Sequence, residues 1–431
     1  MSRDGSDRAQ LFNEARPFSG AQNPNRAVYD RVAKDWEADR QPVDYSGVDA
    51  FAESLREAFG GADGGTVSFE DESAVAENGI SADSGTPDSG PLAKGSVCLD
   101  LGCGPGWYAS RLPTPVVAVD SSLEMLRAVP RWAPNAQRVA ADLRYLPFRE
   151  STARGVLASK CYLHLPKSEV PMALAELHRA TAVGALVELV CIRGDQEWGT
   201  LEGDDFPGRW FSMWEPDHLR DVVVGAGFEV ISVKVADDAK RRHGHNMIIL
   251  RARRIRSLAD TVGGNMRLLI CGLNPSLYAA DRGVGFARGS NRFWKAALQA
   301  GIVSKTHDPA VAFRHDRIGM TDIAKRATRR ADEITASEFK EGIARLERLA
   351  QWLKPQAICF VGLTGWREAL SPEAQVGPQP QTLGGSPIYV MQSTSGANAH
   401  ATLHDLTDQL KAATEMSDSF ASSRASLSQS V

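Results

Sequence analysis

Two stretches of this 431-residue chain place polar side chains where ordinary packing does not call for them. In the first, Asp100-Leu101-Gly102-Cys103-Gly104-Pro105-Gly106 follows an apolar run and precedes a helical pattern. Its three glycines let a ligand approach the backbone closely, and Asp100 can accept hydrogen bonds. Asp120 ends the next apolar run, where a carboxylate can take two ribose hydroxyls, and Asp142 closes a third, where it can meet an adenine edge. In the second stretch, Gly272 to Trp294, the apolar run Leu268 to Cys271 feeds a polar loop, GLNPSLYAADRGVGFARGS, and then the helix start Asn291-Arg292-Phe293-Trp294. Ligands of α/β proteins bind at the carboxyl ends of strands, so Asn274 and the aromatic Phe286 on this loop are placed to do chemistry.

The elements that position these residues alternate. From Ser96, SVCLDLG, PVVAVD, QRVAADL, GVLASKCYLHL and ALVELVCI read as strands, interleaved with helices at LEMLRAVPRW and MALAELHRA. A helix from Glu215 and the closing pair FEVISVKVA and HNMIILRAR follow. This is the pattern of a doubly wound α/β sheet. Before it, AVYDRVAKDWEADR and VDAFAESLREAF predict two amphipathic helices, with residues 1 to about 26 a mobile lead. Gly60 to Ala93 holds seven acidic residues and no Lys or Arg, and reads as a disordered insert.

Ile255 to Asn265 reads as an irregular connector. The alternation then restarts: strand MRLLICGLNP, helix Arg292 to Ala300, the GMTDIAKRAT segment, a long helix over ASEFKEGIARLERLAQWL, strand QAICFVGL, a helix around Gly365 to Leu370, strand PIYVMQST, and a helix from Ala401 to Ala412. The expected fold class is therefore α/β in two domains, a Rossmann-like sheet over 27–255 and a smaller parallel-sheet α/β/α fold over 266–413, with 414–431 a disordered tail.

Apolar residues make up 43% of the chain and charged residues 24%, as in soluble globular proteins. No apolar run reaches the roughly 20 residues of a membrane span, and the N-terminus lacks an apolar signal core, so a cytoplasmic location is expected. The six cysteines are scattered, without metal-ligand spacing, and read as buried reduced thiols; no metal is expected. Met266 to Ala413 carries 18 Lys and Arg against 13 Asp and Glu inside a chain that is acidic overall. That imbalance suggests a polyanion partner for the second domain alone.

The order and spacing of DLGCGPG, Asp120 and Asp142 resemble the class I S-adenosylmethionine-dependent methyltransferases over roughly Ala27 to Ala252. The resemblance implies S-adenosylmethionine as cofactor, held by Asp100, Gly102, Gly104, Gly106 and Asp120, with Asp142 and Leu143 flanking the adenine. A plain dinucleotide fold remains the alternative, because ribose-binding acids serve NAD as well. The methyl acceptor is not legible. Ser159 to His164 lacks the Asn-Pro-Pro-aromatic pattern of DNA amino-methylating enzymes, and Cys161 lacks the Pro-Cys setting of a cytosine-attacking thiol. His164 and Tyr162 are candidates for the acceptor pocket.

GLNPSL, Phe286 twelve residues after Asn274, the Asn291 to Trp294 group, GMTDIAKRAT and the late STSGANA resemble, in that order, the mismatch-specific uracil/thymine-DNA glycosylases of the uracil-DNA glycosylase superfamily. The match spans about Met266 to Ala413. Base-processing enzymes extrude their target from the helix, which costs a few kcal/mol and is cheapest at a mismatch. The extruded base needs an aromatic to stack on, which points to Phe286. The resemblance implies that Asn274 positions the hydrolytic water, and an amide there implies slower turnover than a carboxylate would give. It places Ser276 and Asn291 by the base, and Ser395, Gly396, Ala397 and Asn398 in the loop that enters the duplex, with the wedge at Ala397 or Asn398. Ser276 and the small wedge residues depart from the common pattern. Read singly, Asn274-Pro275 is a turn, Phe286 is core, Asn291 is a helix cap, and Arg292 to Trp294 is a helix start with two buried aromatics. Arg326, Arg329 and Arg330 form a basic cluster suited to phosphate.

The expected function is removal of uracil, and by extension thymine or a damaged pyrimidine, from mispairs with guanine in double-stranded DNA (G:U or G:T), with the protein at the nucleoid when bound. It is joined to a methyltransferase of unknown acceptor. Two alternatives stand beside it: a methyltransferase acting on RNA or a small molecule whose second domain only binds nucleic acid, and a pair of binding modules in a repair assembly.

Overall fold

Buried apolar runs, the pattern of strands covered on both faces, form the central strands of both sheets. The computed structural model describes residues 24–59, 97–198, 205–236, 246–363, 366–367 and 371–428. The first domain opens with helices α1 (Pro24–Asp39) and α2 (Ser46–Phe59). Then come β1 (Val97–Leu101), β2 (Val116–Asp120), α3 (Leu123–Trp132), β3 (Gln137–Ala140), β4 (Ala153–Ser159), α4 (Val170–Ala180) and β5 (Thr181–Ile192). A two-stranded pair, β6 (Glu197–Trp198) and β7 (Phe211–Ser212), precedes α5 (Pro216–Gly225), β8 (Phe228–Ala236) and β9 (Met247–Arg254). The seven-stranded sheet runs β3-β2-β1-β4-β5-β9-β8, with β9 antiparallel to both neighbours and the other pairings parallel.

The second domain comprises β10 (Leu268–Gly272), α6 (Leu277–Arg282), α7 (Phe293–Gln299), α8 (Pro309–Arg314), β11 (Ile318–Asp322), α9 (Ala336–Leu353), β12 (Ile358–Val361), β13 (Gly377–Leu383), β14 (Ser386–Met391) and α10 (Leu403–Ser428). Its sheet runs β11-β10-β12-β14-β13 and is parallel except for the edge strand β13. Sequence reasoning passed over β13, because GPQPQTL has too little apolar alternation to declare a strand. The long helix α9 falls where ASEFKEGIARLERLAQWL predicts it, and a Thr335/Glu338 capping box starts it. Trp352 of α9 packs edge-on to His218 of the first domain at 4.4 Å, and Arg348 donates to Asp221 at 2.9 Å.

Three boundary expectations need correction. Helix α1 begins at Pro24, inside the expected mobile lead, because Asn25 is tied at both ends of its amide to the first domain. The connector is partly core: Ser257, Asp260 and Val262 are buried, and Asp260 pairs with Lys325 and Arg345. The tail from Thr414 to Ser428 is helical, not disordered. There, Ser417 Oγ bonds Arg267 O, Arg267 pairs with Asp418, and Ser419, Ser422, Ser423 and Ser426 return their hydroxyls to carbonyls four residues back. Those back-bonds absorb the polar groups that made the segment read as irregular. The expected acidic insert lies outside the described residues, as does the helix around Gly365 to Leu370 apart from Trp366 and Arg367. All six cysteines are buried and unpaired, and burial pushes their thiols up.

Candidate functional sites

Each sheet holds a cavity outside the carboxyl ends of its strands, where strand order reverses: between β1 and β4 in the first, and between β10 and β12 in the second.

The first cavity is about 250 Å³. Gly102, Gly104 and Gly106 all have positive φ, of 64°, 53° and 90°. A Cβ on Gly102 would overlap Cys161 and one on Gly106 would press Val129 at 3.1 Å, so packing fixes those two. At Gly104 a Cβ would meet no atom within 4 Å, because the space beside it is the cavity. Asp120, at the end of β2, accepts from Gly104 N–H on Oδ2 (2.9 Å) and from Ser122 N–H on Oδ1 (2.8 Å). Burial raises its pKa, and these N–H groups oppose the rise. Each oxygen keeps a lone pair for a further donor, which is the requirement for gripping a vicinal diol.

Of the residues expected to hold the cofactor, Gly102, Gly104, Asp120, Asp142 and Leu143 line the cavity, whereas Asp100 and Gly106 do not. Asp100 is buried, receives the Ala109 N–H, and has no hydrogen-bond partner on Oδ2 among the described residues. Burial first, and the Asp120 charge second, push its pKa up to about 8. Asp142 is less free than expected, since both of its oxygens accept from Arg144. The residues present fit S-adenosylmethionine. Asp120 is aimed at a diol, the Gly104 backbone is bare beside it, and the apolar Leu143 borders the same space.

Helix α1 roofs this cavity, a role that its sequence pattern did not declare. Asn25 Nδ2 donates to His164 O (2.8 Å), and Trp210 N–H donates to Asn25 Oδ1 (2.6 Å). His164 Nδ1 lies 2.7 Å from Trp210 O, which can only accept, so Nδ1 carries the hydrogen. Nε2 then accepts the Tyr29 hydroxyl at 2.7 Å, and that oxygen accepts from Arg209 at 3.1 Å. His164 lines the cavity with both ring nitrogens committed. Tyr162 does not line it and is buried in the core beneath.

The second cavity, also about 250 Å³, gathers loops after β10, β11, β12 and β14. Asn274 Nδ2 donates to Thr328 Oγ1 (2.7 Å) and to the carbonyls of Pro275 and Arg326 (3.2 Å each). Thr328 Oγ1 itself donates to Arg330 O, so it accepts from Asn274, which fixes the orientation of the amide. Among the described residues no hydrogen bond reaches Asn274 Oδ1, and the residue lines the cavity.

Phe286 lines the same cavity and stacks on buried Phe293 with ring centroids 4.3 Å apart and planes 25° apart. Its φ of 57° is a rare conformation for a bulky residue, held here by the surrounding loop. Ser276 caps α6, accepting from Ala279 N–H (3.2 Å), and Asn291 Oδ1 caps α7 through Phe293 N–H (2.9 Å). Both line the cavity as well, and Asn291 Nδ2 has no bond among the described residues.

Ser393, Thr394 and Ser395 form the facing wall. Gly396 packs so tightly on Ser290 that a Cβ would lie 2.8 Å from its carbonyl, and Ala397 is exposed at the tip. Asn398 has its amide engaged within the loop: its Nδ2 donates to Ser393 O (2.9 Å) and its Oδ1 accepts from His400 N–H (3.1 Å). Arg292 is more than a helix start, since its guanidinium holds the carbonyls of Ser395, Asn398 and Ala401 and thereby clamps this loop. Arg326 pairs with Glu338 and Arg330 with Asp332, leaving Arg329 exposed with no ion pair among the described residues. Sequence reasoning missed Asp322, which ends β11 in the cavity wall; its only sequence signal was an acid closing an apolar run.

Residues 98–184 match a family model described as a methyltransferase domain, and residues 260–416 match that of the uracil DNA glycosylase superfamily. The chain thus carries a methyltransferase domain and a uracil DNA glycosylase superfamily domain. Similar solved structures include the Burkholderia thailandensis 1,6-didemethyltoxoflavin-N1-methyltransferase with bound 1,6-didemethyltoxoflavin and S-adenosylhomocysteine, at 15% identity over 57% of this chain and 94% of that one, TM-score 0.37. Another is the DhpI–SAH complex, at 18% identity over 54% and 96%, TM-score 0.36.

Proposed function

We propose that the second domain hydrolyses the N-glycosidic bond of uracil, and by extension of thymine or a damaged pyrimidine, mispaired with guanine in duplex DNA. The observation that carries this reading is the pinned amide of Asn274, whose Oδ1 is left to accept from a water in the cavity where Phe286 offers a ring face. A base leaving the stack loses a few kcal/mol of pairing and stacking, and an aromatic platform returns about 1–3 kcal/mol of it. The Ser393 to Asn398 loop, clamped by Arg292, borders the gap the base leaves, and its exposed small tip suits close approach to the duplex backbone. Thymine adds a methyl group to be housed, and so ranks below uracil as a substrate.

The first domain, on this reading, transfers a methyl group to an acceptor of the small-molecule or RNA class. S-adenosylmethionine supplies an electrophilic methyl when bound. The chain's own residues bind and orient: Asp120 takes the ribose hydroxyls, Leu143 borders the adenine, and the α1 roof excludes water.

Labelled duplexes with single G:U, G:T or A:U pairs, incubated with the full chain and then treated with alkali, test the glycosylase reading. Cleavage at G:U that falls at least about 100-fold in Asn274→Ala is the expected result. No abasic site in any duplex refutes the activity, and undiminished cleavage by Asn274→Ala refutes the water-positioning role. Calorimetric titration with S-adenosylmethionine tests the first domain, and absence of binding removes the methyltransferase reading.

A further inference from the structure

The loop expected to enter the duplex carries no side chain that can fill the space of a base. Ala397, at its exposed tip, offers a methyl group, and the Asn398 amide is engaged by Ser393 O and His400 N–H. A base that leaves the stack opens a space one base thick, and proteins that part a stack commonly hold it with an inserted apolar or aromatic side chain. Such a side chain has to come from elsewhere on the rim of the second cavity.

Helix α6 runs along that rim. Ser276 and Ala279 line the cavity, as do Gly283 and Gly285 beyond the helix. The helix is fixed at both ends: Ser276 Oγ accepts Ala279 N–H at its start, and Gly283, at φ 61°, returns its N–H to the Ala279 and Ala280 carbonyls. Buried Ala279 and Ala280 form its inner face, which turns Tyr278 outward. Tyr278 is 43% exposed, and among the described residues neither a hydrogen bond nor a ring contact holds it. Of the large apolar side chains exposed on the described part of the second domain, Tyr278, Leu298 and Val376, it alone is flanked in sequence by cavity-lining residues.

Its surroundings are basic. Arg282 lies one turn further along the same exposed face, and the adjacent Asp281 is taken by Arg256. On the other side, Ser276 bridges Thr328 in parallel and Leu277 N–H donates to Thr328 O (3.2 Å), which sets Arg329 beside Leu277 and Tyr278. Arg282 and Arg329 are both exposed, with no ion pair among the described residues. An exposed ring between two guanidinium groups suits a nucleic acid strand, the cations meeting phosphate and the ring meeting a base. Thr328 also holds the Asn274 amide (2.7 Å), so ring and amide are mounted on the same paired segments.

We propose that Tyr278 enters the duplex in the space the extruded base vacates, stacking on the adjoining base pair while Arg282 and Arg329 hold the flanking phosphates. This rests on the glycosylase reading above, and it assigns to α6 the gap-filling task for which the 393–398 loop is too small. An aromatic ring is about as thick as a base, so the stack closes on it. The ring touches neither the extruded base nor the water. Tyr278 is therefore a positioning residue, which stabilises the extruded state and leaves the bond-breaking step alone.

Fluorescence anisotropy with the full chain tests this on two duplexes of one sequence, fully matched or carrying a tetrahydrofuran abasic analogue opposite guanine, whose gap exists before binding. Wild type is expected to bind the gapped duplex more tightly. Tyr278→Ala is expected to weaken binding to the gapped duplex roughly 10-fold and to change binding to the matched one by no more than about twofold. Tyr278→Phe and Tyr278→Leu, which keep a large apolar side chain, are expected to stay within about threefold of wild type on both. A Tyr278→Ala loss equal on the two duplexes, no loss on either, or a wild type that does not favour the gapped duplex overturns the proposal. Each of these leaves the glycosylase reading standing, because no hydrolysis is involved. Excision from a G:U duplex by the same preparation tests that reading separately, and a wild type that excises no base overturns both. The preference for the gap is read on unaltered protein, so refutation does not depend on a variant folding.

Discussion

The two cavities are built on the same plan and finished differently. Each lies past the carboxyl ends of a parallel sheet, and each has a buried acid near the strand ends: Asp100 on β1 and Asp322 on β11. Asp100 does not line its cavity and keeps Oδ2 sealed from solvent, whereas Asp322 sits in the wall. The first cavity presents a carboxylate, Asp120, already oriented by two backbone N–H groups, under a helical roof cross-linked by Asn25, Tyr29 and Arg209. The second has no such roof among the described residues; strand ends and loops line it, and among those residues no hydrogen bond reaches Asn274 Oδ1, Asn291 Nδ2 or the Asp322 carboxylate. A site that holds one small ligand can satisfy its polar groups in advance. On the proposed reading, a site that must admit a base still tethered to a polymer, and then a water, keeps acceptors open.

The comparison breaks first at Asp120. If its oxygens take two ribose hydroxyls, Asp120→Ala removes two charge-assisted hydrogen bonds of about 1.5–3 kcal/mol each, so S-adenosylmethionine affinity falls roughly 100-fold or more. Uracil excision by the same variant is expected to stay at the wild-type level. A parallel drop in excision, read in one preparation, would mean that the two sites are not separate.

Phe286→Ala is the matching cut in the second cavity. Stacking is worth about 1–3 kcal/mol per base, so the single-turnover rate is expected to fall about 10-fold to 100-fold, while S-adenosylmethionine binding is untouched. Phe286→Tyr keeps the ring face and is expected to keep most of the rate. A Tyr variant as slow as Ala would assign Phe286 to packing on Phe293 in place of stacking on the base.

What the sequence disclosed follows the same division. Strand alternation and the helix α9 were legible from hydrophobic periodicity, and the place of Gly104, Asp120, Asn274 and Phe286 at the cavities was legible because each follows a strand end at a short distance. Asp322 was not, because its meaning depends on register with Gly272 across 50 residues, and sequence does not print register. Arg292 was legible as a helix start and not as a clamp, because its partners are backbone carbonyls in a loop more than 100 residues away, and carbonyls carry no sequence signature. The Asn25 tether failed for a like reason: one buried amide outweighs a polar, unpatterned neighbourhood. The Ser-rich end of α10 inverted a propensity, since tertiary anchors at Ser417 and Asp418 outweigh serine's preference for non-helical turns.

The smallest expected effect separates the base chemistry proposed for the second cavity from the proposed grip on DNA. Arg326 and Arg330 are neutralised by Glu338 and Asp332, so of the three arginines expected to meet phosphate only Arg329 offers an exposed guanidinium without an ion pair among the described residues. Removing one phosphate contact lowers the salt slope of duplex binding by about one and weakens binding about equally on all sequences. Arg329→Ala is therefore expected to reduce affinity for matched and G:U duplexes by the same few-fold factor, about 2 to about 5, and to leave the excision rate of bound duplex unchanged. Fluorescence anisotropy at several salt concentrations reads the slope. A loss confined to the mismatched duplex would place Arg329 at the extruded base, and an unchanged slope would move the phosphate track elsewhere on this domain.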